Sequence, residues 1–150
     1  ALPIWNRSLI RALVDFRREH PILSAESPFT FTDYRALGLP DLSYHGDSAW
    51  ISQIDLGRMS VGLFYNGAYA VEKGGCEDVY VAYNFYTYKA KLALPRLPGQ
   101  RSWYLAIDSA DAKCRCHKQC HLRRTSQRLV TKDADNKSYE CHQYYQWHTR

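Results

Sequence analysis

Apolar and polar residues alternate with a period of two through residues 78–108. Val79, Val81, Tyr83 and Phe85 are interleaved with Tyr80, Ala82, Asn84 and Tyr86, the spacing that turns one face of a strand toward a core. Leu92 and Leu94 continue the alternation, and Trp103, Leu105 and Ile107 resume it. Residues 95–99 (PRLPG) lie between, and each proline there removes a ladder donor, so this segment reads as a turn. The pattern predicts a β-meander on one hydrophobic core. Upstream the period changes to that of a helix. Leu9, Ile10, Leu13 and Phe16 share one face, with Arg7, Arg11, Asp15, Arg18 and Glu19 largely on the other. Asn6 is placed to cap this helix, Trp5 and Ile10 to staple its start, and the residue before Pro21 to end it at His20. Between helix and meander, turns at 38–40 and 46–48 bracket a short run at 41–45. Residues 60–66 form a further strand, closed by the hairpin dipeptide Asn66-Gly67, and residues 71–77 form a loop. Short strands at this spacing predict a mainly-β fold, an antiparallel β-sandwich preceded by one amphipathic helix.

Four segments carry a resemblance. RALVDFRREHPIL (11–23), GLPDLSYHGDSAW (38–50), RMSVGLFYNGAYA (58–70) and DVYVAYNFYTYKAKLALPRLPGQRSWYLAIDS (78–109) are similar, in this order, to the C-terminal part of debranching enzymes of the α-amylase family of glycoside hydrolases. Bacterial glycogen debranching enzymes, isoamylases and type I pullulanases are the members it resembles. The resemblance implies three parts: residues 1–23 as the last helix of a truncated (β/α)8 barrel, residues 24–112 as the C-terminal β-sandwich, and residues 113–150 as an atypical basic tail. It implies a parent that cleaves α-1,6 branch linkages in glycogen, starch or limit dextrin, with no cofactor. The parent's three catalytic carboxylates would lie on barrel strands ahead of Ala1. Retaining hydrolysis needs two carboxyl groups about 5 Å apart, held at the ends of several barrel strands, so the expectation is that this chain carries no catalytic residue. Its partners would be the barrel of its own parent and, through it, the α-glucan.

Composition narrows the field. At 45% hydrophobic and 14% aromatic the chain is too apolar for a disordered polymer, and no apolar run approaches the ~20 residues of a membrane span. With no apolar leader visible, a cytoplasmic location is expected. The net charge of +5 divides unevenly: residues 1–112 carry a net −1 and residues 113–150 a net +6. Cysteine follows the same division, with Cys76 in the body and Cys114, Cys116, Cys120 and Cys141 in the tail. Together with His117, His121 and His142 the four tail cysteines exceed the four ligands of a structural zinc site, at a spacing no common finger uses. The interleaved Arg115, Lys118, Arg123 and Arg124 offer a phosphate-binding alternative. Both stand behind the reading of the tail as an unstructured or out-of-frame extension. Its end, YECHQYYQWHTR (139–150), lacks the apolar strand that would close the sandwich, so an open sheet edge is expected.

Two groups of body residues merit weighing as a site. Asp41 and Asp47 flank His45, and Glu77 adjoins Asp78; their neighbours Pro40, Gly46 and Gly74-Gly75 mark these carboxylates as turn and capping residues, and His45 as a structural contact. The second group is aromatic. Tyr80, Tyr83, Tyr86, Tyr88, Trp103 and Tyr104 crowd the meander; packing is the first expectation, while the outward set Tyr80, Asn84, Tyr86 and Tyr88 would be the platform of a stand-alone carbohydrate-binding sandwich, the alternative to the debranching fragment.

Overall fold

The computed structural model describes residues 4–51, 57–74, 77–98, 101, 103–109, 138–141 and 144–149. A single α-helix, α1 (Ile4–Glu19), opens the fold. It starts ahead of Asn6, so Asn6 lies within the helix and is not its cap. Ala12, Phe16 and the following His20 are buried, with Leu9 and Leu13 packed beside them, which is the three-to-four spacing of one helical face. Ile10, expected on that face, is instead 49% exposed, and Val14 one turn on is 43% exposed. At the end of α1, His20 takes an extended conformation (φ −119°, ψ 88°) and Pro21 begins a 3-10 helix, Pro21–Ser24, because the proline ring excludes helical geometry from the residue before it.

The strands are β1 (Leu42–His45), β2 (Ser60–Tyr65), β3 (Val79–Asn84), β4 (Ala90–Ala93), β5 (Trp103–Asp108), β6 (Ser138–Cys141) and β7 (Tyr144–Thr149). Five form one sheet in the order β1-β2-β3-β7-β5, and β4 pairs with β6. Every strand pairing is antiparallel, so the described chain is a mainly-β antiparallel fold with α1 packed on it.

The predicted meander does not form. β3 pairs with β2 and β7, β4 departs to a separate pair, and β5 returns on the far side of β7. The cause lies in β3, where both faces are buried: Val79 and Val81 pack toward α1, while Tyr80 and Ala82 pack into a second core with Phe64, Leu92, Leu94 and Leu97. A strand covered on both faces and paired on both edges occupies the middle of a sheet. Part of the proline segment is interior as well. Leu94, Pro95 and Leu97 are buried, and the Pro95 carbonyl accepts the Trp103 indole N–H at 2.8 Å. The closing strand that the composition of the tail did not promise is β7, seated between β3 and β5.

Asn66-Gly67 is not a hairpin turn. β2 and β3 do pair, Tyr65 opposite Val79, but a 3-10 helix, Gly67–Lys73, intervenes. The Asn66 side chain accepts from Ala68 N at 3.1 Å and donates to Leu39 O at 3.2 Å; it caps a helix in place of making a tight turn. That helix ends at Gly74, whose φ of +79° is the left-handed cap that glycine adopts without strain.

A buried hydrogen bond ties β3 of the five-stranded sheet to β4. Tyr80 crosses the diagonal of the β2–β3 ladder above Gly62, and its hydroxyl donates to Ala93 O at 3.0 Å. A Cβ on Gly62 would sit 1.7 Å from that hydroxyl oxygen, so the crossing requires glycine there.

Candidate functional site

The carboxylates weighed in the sequence have separate, structural partners. Asp41 is buried; one oxygen accepts from Thr30 N at 2.7 Å and the Thr30 hydroxyl at 3.2 Å, the other from Phe31 N at 2.9 Å and Leu42 N at 2.8 Å. It fastens the 30–42 loop to the start of β1. Glu77 faces Nε2 of buried His20 at 3.1 Å, whereas Asp78 accepts from Gly67 N at 2.9 Å and pairs with Arg101. Burial pushes the Asp78 carboxyl up, and the Gly67 N–H and the Arg101 charge oppose that shift. Adjacent in sequence, these two carboxylates serve different elements, Glu77 the end of α1 and Asp78 the start of the 3-10 helix at Gly67.

His45 is fully buried. Trp50 N–H donates to its Nδ1 at 2.9 Å, so Nδ1 is unprotonated and the hydrogen is on Nε2, 2.9 Å from the Ser43 hydroxyl. Burial pulls its pKa down to about 4, leaving a neutral ring at neutral pH. It pins the turn that follows β1. A cleft of about 260 Å³ lies at the end of α1, lined by His20, Ile22, Gly67, Ala70 and Glu77 among others. Its histidine is engaged on both nitrogens, Nδ1 with Phe16 O at 2.8 Å and Nε2 with Glu77. Among the described residues no group of three or more His, Cys, Asp or Glu side chains is placed to hold a metal ion. Cys114, Cys116, His117, Cys120, His121 and His142, six of the seven residues of the zinc set, lie outside the described residues.

The outward aromatic set requires correction. Tyr80 and Asn84 are buried, because β3 is central and its second face meets the core shared with β4. Asn84 organises the chain beyond β3, accepting from Tyr86 N at 3.0 Å and donating to Tyr88 O at 2.8 Å. Tyr88 is exposed and stacks on half-buried Tyr86 at a ring separation of 4.7 Å, and the Tyr86 hydroxyl donates to Gly57 O at 3.2 Å.

The turn at 46–48 expected from the sequence extends to Ile51 and holds a conformation that the residue pattern does not show. Trp50 has φ +65°, a left-handed conformation that costs a bulky residue roughly 1–2 kcal/mol. Four contacts hold it: Trp50 N–H on His45, Gly46 N–H on Ile51 O at 2.9 Å, Ala93 N–H on Gly46 O at 3.0 Å, and Arg58, which ion-pairs with Asp47. The Arg58 guanidinium runs so close to Gly46 that a Cβ there would lie 2.8 Å from its nitrogen. The indole contacts His45 and Phe64 at steep interplanar angles of 63° and 71° and remains 41% exposed. Gly46 and Asp47 announce a turn in the sequence; the strain at Trp50 has no sequence signal, since nothing about tryptophan favours positive φ.

Compared with protein-family models and with curated proteins, the chain matches none. No helix among the described residues is long and apolar enough to cross a membrane.

Proposed function

We propose that this chain is the C-terminal part of an α-amylase-family debranching glycoside hydrolase, with α1 as the last helix of the barrel and the strands as the β-sandwich behind it. The parent cleaves α-1,6 branch linkages of glycogen or limit dextrin in the cytoplasm, and this part is structural. One observation carries the reading: the polar residues of the resembling motifs are engaged in packing. His20 of the helix end, Asp41 and His45 of the PDLSYHG segment, Asn66 of the third segment, and Asp78 and Asn84 of the fourth are all buried and hydrogen-bonded. They hold loops and the end of α1 in place, which is what motif residues do in a part that supports a catalytic domain. The exposed Ile10 and Val14 agree, since a helix with a second apolar stripe has a second surface to cover.

The test is to read the gene in frame ahead of Ala1 and to express what it encodes. A barrel with three strand-end carboxylates, whose product releases linear chains from limit dextrin while the 150-residue chain releases none, is the expected result. An upstream frame without a barrel overturns the reading.

A further inference from the structure

We propose that the turn of residues 46–51 binds a pyranose ring of a polysaccharide, with the Trp50 indole as the stacking surface and the Asp47–Arg58 pair as the partner of the ring hydroxyls. The first observation is the strain. A glycine at position 50 would adopt φ +65° freely, yet a tryptophan is held there by contacts from His45, Gly46, Ala93 and Arg58. Backbone strain of this kind persists only where the surroundings over-determine it, and it concentrates at ligand clamps. Packing alone accounts poorly for the choice, because the ring remains 41% exposed and neither of its described aromatic neighbours lies parallel to it.

The second observation selects the ligand. Asp47 and Arg58 are paired, with the Asp47 side chain 72% exposed. A lone arginine would attract a phosphate or a carboxylate; a neutralised carboxylate–guanidinium pair favours an uncharged ligand that both donates and accepts, as adjacent hydroxyls do. A pyranose unites such hydroxyls with an apolar C–H face that fits an indole. That the polysaccharide is an α-glucan rests on the debranching reading above, whereas the stacking itself does not.

The test is electrophoresis of the 150-residue chain in native gels containing glycogen, run beside gels containing a mixed-linkage β-glucan and gels without polymer. The expected result is retardation in glycogen, with retention reduced about tenfold by Trp50→Gly, partly restored by Trp50→Phe, and weakened by Asp47→Ala. Asp47 is exposed, so its variant probes the site even if Trp50→Gly fails to fold, and circular dichroism reports which variants fold. Retardation by the β-glucan alone supports the pyranose site and removes the debranching reading. A wild-type chain unretarded in both polymers overturns the site, and so does retardation left unchanged by Trp50→Gly and Asp47→Ala. Blank gels beside an upstream barrel gene remove the site and leave the debranching reading intact.

Discussion

Replacing Gly62 by alanine adds a single methyl group, and the structure makes it one of the costliest small changes in the chain. The new Cβ would lie 1.7 Å from the Tyr80 hydroxyl oxygen and 2.3 Å from its ring carbon Cζ, so the Tyr80 side chain must move. It has little room, being buried among Phe64, Leu92, Leu94 and Leu97. Moving it also breaks the bond from its hydroxyl to Ala93 O. Overpacking a dense core costs about 1–3 kcal/mol, and leaving a buried carbonyl and hydroxyl without partners costs about 1–3 kcal/mol more. Against this, Gly→Ala lowers the entropy of the unfolded chain by the equivalent of about 0.4–1 kcal/mol. The net expectation is a loss of roughly 1–5 kcal/mol, a large fraction of the stability of a domain this size. Urea denaturation followed by tryptophan fluorescence measures it. A double-mutant cycle sharpens the test: Tyr80→Phe removes the atom nearest the new methyl, so it should cost less in the Gly62→Ala background than alone. Cζ at 2.3 Å still clashes, so the rescue is partial. A Gly62→Ala chain within about 0.5 kcal/mol of wild type, below the cost of any mechanism named here, would refute the packing argument.

Asp78→Ala removes the acceptor of Gly67 N–H and the partner of Arg101, for an expected loss of about 1–3 kcal/mol read by thermal unfolding. The exposed Asp33 is held below the usual carboxylate range by the Tyr69 hydroxyl and by the Leu37 and Gly38 N–H groups. Its contribution is therefore present above its ordinary pKa and lost as the pH falls through the lowered one; Asp33→Ala should lower the urea midpoint at pH 7 and match wild type in strong acid. His45 is depressed from 6.5 to about 4 by burial, so stability present above pH 6.5 is lost as the pH falls toward 4, by about 3 kcal/mol. Urea midpoints across that window should fall more steeply for wild type than for His45→Gln, and parallel curves would assign the acid sensitivity to other groups.

The elements were more legible in the sequence than their neighbours in space. Alternation located β2, β3 and β5 and the helical period located α1, because each buries a face on a fixed period. Pairing was hidden. Nothing between Asn84 and Ala90 declares that the chain changes partners, and β7 comes from a polar, aromatic stretch whose place between β3 and β5 follows from what those strands lack at their edges. The burial of Tyr80 is hidden for the same reason: a two-sided strand cannot be told from a one-sided one when both sets of alternating positions carry aromatics. Asn66-Gly67 has two uses, hairpin turn and helix cap, and only the bonds to Ala68 and Leu39 select between them. At the candidate site, the residue types at 46–48 identified the turn, whereas the left-handed Trp50 depends on a histidine five residues before it, an arginine eight residues after it and a β4 backbone group distant in sequence, whose convergence the sequence does not announce.

The buried polar residues explain how so irregular a chain keeps one arrangement. Asp41, His45, Asn66, Asp78 and Asn84 each stand at the end of a strand or in the connection beside it, and each bonds backbone groups of the adjoining loop. Strand pairing satisfies the backbone inside the ladders; these side chains satisfy it where the ladders stop, at the places where buried N–H and C=O groups would otherwise be left unpaired. They differ from apolar core residues in kind. A smaller apolar side chain leaves a void that neighbours partly fill, whereas a lost acceptor strands a donor that no apolar neighbour can satisfy. Loop geometry in this fold is thus set by a few polar atoms, and the 46–51 turn is the extreme case, since His45 holds there a conformation that its tryptophan would not adopt unaided. The same pinning makes a rigid, preorganised surface at Trp50 physically attainable.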